Sequence, residues 1–145
     1  MEDTLHAVLK EKGVALYSVD AKASVAEAIE TMVTGKVGSV LVMDKGHLRG
    51  IFTERDVMVR VVHAGKDPGK TPVAEVMTSE LAVVPPGMTV GAAMSVCLEK
   101  RVRHLPVYDG EELEGVVSSG DLMRWVIGDQ QHLIEDLTQY IYVGR

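Results

Sequence analysis

The chain repeats itself at an offset of 65 positions with no gap, so that residues 19–62 fall on residues 84–127. Eleven of the 44 aligned pairs are identical, among them Val25/Val90, Ala28/Ala93, Val42/Val107, Gly50/Gly115 and Asp56/Asp121. Roughly three would be expected from composition alone, about one pair in 15 for valine-rich sequences. Most other pairs are like for like, such as Ser24/Thr89, Ile51/Val116, Thr53/Ser118 and Val57/Leu122. Such regular spacing means two copies of one supersecondary unit, and a site built in one copy is expected in the other.

Each copy of about 60 residues would be marginal alone, so the 145 residues read as one domain or as two small repeats sharing a core. A hydrophobic fraction of 46% with 25% charged residues is that of a globular protein. The apolar run around Val40–Met43 is far short of the ~20 residues of a membrane span. Met1-Glu2-Asp3-Thr4 lacks the basic-then-apolar order of a signal peptide. A single cysteine, Cys97, excludes an intrachain disulfide and fits a reducing compartment; the expectation is cytoplasmic. The net charge of −6 and absence of a basic stripe argue against direct nucleic-acid binding. The densest basic cluster, Lys100-Arg101-Val102-Arg103-His104, suits one small anion.

Each copy reads strand, helix, strand, strand, helix. In the first, Ala15–Val19 is a short apolar run, and Ser24 caps a helix with Val25, Ala28, Ile29, Met32 and Val33 on one face. Glu27 completes a capping box, and Gly35 is the expected stop. Val37–Met43 and His47–Thr53 form strands across an Asp44-Lys45-Gly46 turn, and Glu54–His63 has helical spacing. The second copy follows with a helix from Thr89, strands Leu105–Tyr108 and Leu113–Ser118, and a closing helix Gly120–Ile127. Ala64–Thr71 is a linker by composition. Thr4–Lys12 and Asp129–Val143 are apolar-faced helical arms, able to pack on the domain or on a second subunit.

The recurring strand-to-helix junction carries the chemistry. It reads Gly50-Ile51-Phe52-Thr53-Glu54-Arg55-Asp56, then Gly115-Val116-Val117-Ser118-Ser119-Gly120-Asp121. A hydroxyl followed three residues on by aspartate is explained structurally as a helix cap. The same arrangement binds phosphate at the helix amides and a ribose diol at the carboxylate. Both readings stand on the residues alone.

Gly-hydrophobic-hydrophobic-Thr/Ser-x-x-Asp, twice, with Val76-Met77-Thr78 entering the second copy and Arg103-His104-Leu105-Pro106-Val107-Tyr108-Asp109, resembles the cystathionine-β-synthase (CBS) domain pair, most of all stand-alone bacterial CBS-pair proteins. The resemblance covers roughly residues 12–130. It implies an α/β (α+β) fold of two βαββα-type repeats about a pseudo-twofold axis, repeat 1 at 12–70 and repeat 2 at 77–134, with helical arms at 1–11 and 129–145. It implies a non-catalytic regulatory module binding AMP, ADP, ATP, NAD(H) or S-adenosylmethionine in clefts between the repeats, with no obligatory cofactor. A homodimer and a regulated protein partner are implied as well. By resemblance Asp56 and Asp121 hold ribose hydroxyls, and Thr53 and Ser118 the ribose or α-phosphate. Arg55, and Arg103 with His104, face phosphates; Gly38-Ser39 takes the place of Arg103-His104 in the first copy, and Gly120 that of Arg55 in the second, so the two clefts should differ.

Two other classes compete. One is a structural dimerisation module with vestigial clefts. The other is a small nucleotide hydrolase using Ala64-Gly65-Lys66-Asp67-Pro68-Gly69-Lys70-Thr71, a loose P-loop match; that motif needs a strand before it and a helix directly after, and Pro72 argues against it. The five histidines share no metal-ligand spacing, and Cys97 lies on a buried helical face.

Overall fold

The computed structural model describes residues 3–12 and 17–128; the expected arm Asp129–Val143 lies outside them. Two compact units emerge: residues 17–81, and residues 3–12 together with 82–128. Among the described residues there are five α-helices and two small sheets, a mixed α/β arrangement.

In the first unit, β1 (Ser18–Asp20) pairs parallel with β2 (Ser39–Asp44), which pairs antiparallel with β3 (His47–Thr53). The hairpin turns through Lys45 (φ 52) and Gly46 (φ 80), the double positive φ of a tight turn between twisted strands. α2 (Val25–Gly35), preceded in the chain by α1 (Leu5–Lys12) of the other unit, lays Val25, Ala28 and Met32 on Val40, Val42 and Phe52. Ser24 accepts from the Glu27 N–H at 3.2 Å. The left-handed residue that ends α2 is Lys36 (φ 54), one past the expected Gly35. Gly35 is needed for space instead: a Cβ there would lie 2.7 Å from the Tyr17 ring.

The second unit holds α4 (Val90–Lys100), capped by Thr89, the hairpin of β4 (His104–Asp109) and β5 (Glu112–Ser118), and α5 (Ser119–Gly128). The likeness of the repeats extends to irregularities: register shifts fall at Val42/Met43 and at Val107/Tyr108, 65 residues apart. The helices after the junctions differ. In the first repeat α3 (Glu54–Asp56) makes one turn and continues as a π-helix, Val57–Val62, with the His63 N–H bonded to the Met58 carbonyl. The α-helix expected over Glu54–His63 is thus α-helical only in its first turn, whereas α5 is regular throughout.

Compactness assigns the segment before each repeat to the other repeat's unit. In the expected helical arm 1–11, Leu5 and Val8 of α1 are buried with Val90, Ala93, Leu105, Val117 and Leu122. Val73 and Val76, which lead into the second repeat, are buried with Val25, Val40 and Phe52. Val8 and Val73 are themselves 65 apart. Burial of such a side chain stabilises by about 1.5–3 kcal/mol, which explains why short leading segments dock firmly. They pass close over a glycine in each sheet, closest at Gly50, where backbone leaves no room for a side chain. A Cβ on Gly50 would lie 2.7 Å from the Thr78 carbonyl oxygen, and one on Gly115 would lie 2.9 Å from Leu9.

The Gly-Lys-rich loop proposed as a P-loop has the opposite polarity. The carbonyls of Thr71 and Pro68 accept from the Val25 and Ala26 N–H groups, both at 2.9 Å. The loop follows helix rather than strand and precedes only a three-residue 3₁₀ turn, Val73–Glu75. It caps α2; it does not cradle phosphate.

Leu5→Ala is expected to lower stability by about 2–5 kcal/mol although it lies outside both repeats. Urea denaturation checks this; a loss no larger than that of a surface substitution would contradict the docking of α1.

Candidate functional site

Both junctions are built alike from the backbone up. β3 ends at Thr53, whose hydroxyl accepts from the Asp56 N–H at 3.2 Å; the Thr53 N–H donates to Asp56 Oδ2 at 3.0 Å and its hydroxyl reaches the same oxygen at 3.1 Å. In the second repeat the Ser118 N–H donates to Asp121 Oδ2 at 2.8 Å, and Ser118 Oγ accepts from the Asp121 N–H at 3.0 Å. These are reciprocal capping boxes, and they sit where the sequence showed Thr/Ser-x-x-Asp. At Ser24 only the forward half was found. The amide that opens each helix is also taken: Glu54 N–H donates to the Gly38 carbonyl at 3.0 Å, and Ser119 N–H to the Arg103 carbonyl at 2.8 Å.

Both aspartates are buried, and each holds the leading segment of its unit by a different chemistry. The Thr78 hydroxyl donates to Asp56 Oδ1 and Oδ2 at 3.1 and 3.2 Å, and Arg60 Nε lies 3.6 Å from Oδ1. Lys12 Nζ donates to Asp121 Oδ2 at 2.7 Å and to the Val116 carbonyl at 2.9 Å, while Arg124 Nη2 takes Oδ1 at 2.7 Å. Burial pushes the Asp121 carboxyl up, but the bonds from Lys12, the Ser118 amide and Arg124 outweigh it and hold it below its ordinary value.

The remaining candidates gather around these pairs. Ser39 stands opposite Thr53 across β2 and β3, and His104 opposite Ser118 across β4 and β5. His104 is held below its ordinary value, chiefly by burial, then by the Lys12 charge and less by Arg103, against the opposing pull of Asp121. Arg55 and Arg103 are exposed. Local charge separates the junctions. Lys12, Arg103 and Arg124 belong to the second, where a cavity of about 600 Å³ is lined by Val8, Glu11, Lys12, Asp121, Arg124 and Trp125. At the first, Glu54 lies against Gly38, its Oε1 2.5 Å from where a Cβ would stand. A cavity of about 420 Å³ there is lined by Ile29, Met32, Val33, Val37, Glu54 and Val57. Cys97 is buried and its thiol pushed up by burial, consistent with an inert core residue.

Four of these groups were given no role in the sequence reading. Arg60 and Arg124, four and three residues beyond their aspartates, follow the spacing of helical ion pairs and were open to prediction. Thr78 was noticed only as part of a motif. Lys12, 109 residues from Asp121, left no local signal.

The family model for the CBS domain matches residues 13–63 and again 73–128. The chain belongs to the CBS-domain family. It is 36% identical over 105 residues to the CBS domain-containing protein YhcV of Bacillus subtilis, spanning 72% of this chain and 74% of that one. To the mitochondrial CBS domain-containing protein CBSX3 of Arabidopsis thaliana it is 33% identical over 126 residues, 83% of this chain and 61% of the other. The solved structure of a CBS-domain protein from Burkholderia ambifaria superposes with a TM-score of 0.84 at 37% identity, covering 88% of this chain and 96% of that one. Among the described residues no helix is long and apolar enough to cross a membrane.

The depressed His104 gives a signed expectation for this CBS pair. Its folded pKa lies below the ordinary 6.5, so the unfolded chain binds the proton first as pH falls. The stability contribution is complete above that ordinary value and is lost as pH drops through the lower folded one. Urea denaturation at about pH 7.5 and about pH 5 should show a smaller loss for His104→Asn than for the parent. Equal losses would remove His104 as the cause.

Proposed function

We propose that this CBS pair is a regulatory module without catalytic activity that binds an adenosine-containing ligand at its strand-to-helix junctions. The candidates are AMP, ADP, ATP, NAD(H) and S-adenosylmethionine. The observation that carries this reading is the buried aspartate at the same place in both repeats, joining a strand end to a helix start beside a hydroxyl. One carboxylate accepts both hydroxyls of a ribose, and Asp121 is kept ionised for that role. Thr53 and Ser118 then lie beside the ribose, with Arg103 and His104 at the phosphate end in the second repeat. Arg55 and Ser39 take those places in the first, where Glu54 makes phosphate less welcome. The Burkholderia relative is described as a candidate signal-transduction protein, which suits a ligand sensor acting on a protein partner. Binding would move such a sensor only through a difference in affinity between its conformations.

We further propose that the chain pairs with a second copy in the cytoplasm. Met58, Val59 and Val62 on the π-helix, and Met123, Val126 and Ile127 on α5, are exposed. Met58/Met123 and Val62/Ile127 are repeat-equivalent, so each unit presents a similar apolar face after its junction. Sedimentation of the double variant Met58→Glu, Met123→Glu should give a monomer where the parent gives a dimer; a monomeric parent would reject the pairing.

A thermal-shift panel of the candidate ligands tests the sensor. A ligand at ~100 times its dissociation constant stabilises by about 2.7 kcal/mol, several degrees for a domain of this size. Asp121→Ala should weaken one site by about 1.5–3 kcal/mol, roughly 10- to 100-fold, and Asp56→Ala the other. A flat panel on folded, ligand-free protein would favour the structural dimerisation module.

A further inference from the structure

In the second junction both oxygens of the Asp121 carboxylate are engaged, and Oδ2 already accepts two bonds. Oδ2 accepts from Lys12 and the Ser118 amide, and Oδ1 from Arg124. A diol that takes both oxygens must displace a donor from Oδ2, and of the two there the Ser118 amide is fixed in the helix cap while the Lys12 ammonium is not. The two cations are not equivalent. The Arg124 side chain is 73% exposed and returns to water at little cost. Lys12 is 38% exposed against a carboxylate only 8% exposed. It makes a second bond to the Val116 carbonyl, and its helix is anchored by the buried Leu5 and Val8. Pushed off Asp121, its ammonium stays at the wall of the cavity it lines, where the exposed Glu11 is the other carboxylate, and it loses its bond to a buried anion.

We propose that Lys12 is the specificity-determining residue of this junction, making adenosine-ligand binding conditional on a phosphate. A neutral nucleoside costs the ammonium its short bond to Asp121 and returns nothing, whereas a nucleotide brings a new anion to it as the ribose replaces it on Asp121. Lys12 thus acts against adenosine and for AMP or ADP at the same time. The first junction has no such gate: the position equivalent to Lys12 is Met77, Asp56 is held there by the neutral Thr78 hydroxyl, and Glu54 stands nearby. This inference rests on the reading of Asp121 as the ribose ligand.

The test is titration of the full chain with adenosine and with AMP, following the NMR signals of the His104 imidazole, which report the second junction alone. The parent should bind AMP at least about tenfold tighter than adenosine. Lys12→Gln should bring the two affinities together by weakening AMP and tightening adenosine, and Lys12→Arg should keep them apart. An unchanged ratio in folded Lys12→Gln overturns the gate while leaving the nucleotide site standing. No response to either ligand in the parent overturns both. Should Lys12→Gln fail to fold, ³¹P titration of AMP bound to the parent decides: the phosphate should titrate at lower pH than free AMP, and titration as free AMP overturns the proposal.

Discussion

The structure of each unit turns on one buried carboxylate. Asp56 and Asp121 each join the end of a strand and the first turn of the helix after it to a piece of chain that sequence keeps apart, the segment leading into the other repeat. A buried carboxylate without partners would be costly, even though the cations that meet it, Lys12, Arg60 and Arg124, are themselves open to water. Each aspartate is therefore a point where local capping, tertiary docking and ionisation must all be satisfied together. A ligand bound there, as proposed, would compete with bonds that hold the fold.

Docking of the leading segments follows from the same economy of surface. Repeats of this size expose too much of their hairpins to stand unaided. Val73 and Val76 complete the core of one unit, and Leu5 and Val8 that of the other. The close passage over the sheet demands glycine at position 50, where a side chain would meet the Thr78 carbonyl, and favours it at 115, where one would press on the Leu9 side chain. These glycines thus owe their place to packing and not to backbone conformation, since neither has positive φ.

The two junctions share a frame and differ in charge. In the first, a hydroxyl and one arginine meet Asp56, and Glu54 leans over Gly38. In the second, Lys12 and Arg124 meet Asp121, with Arg103 and a neutral-leaning His104 on the adjoining strand. Within a half-buried site such differences are screened little. Duplication supplied two similar frames, and a few substitutions, Arg103-His104 for Gly38-Ser39 and Gly120 for Arg55, made them electrostatically distinct.

The 65-residue offset, the alternation of turns and apolar runs, and the Thr/Ser-x-x-Asp spacing were enough to reveal two repeats, their hairpins and the residues at each junction. All of these arise from contacts within a few residues, or from a pattern written twice. α2 does stop at Gly35, but the left-handed backbone falls on Lys36, because a glycine in close packing looks the same in sequence as one needed for left-handed backbone. The π-helical continuation of α3, the docking of α1 into the second unit, and the pairing of Lys12 with Asp121 were settled only by tertiary structure. A side chain 109 residues away leaves no periodicity and no local cap, and its position depends on where Leu5 and Val8 find apolar surface to cover.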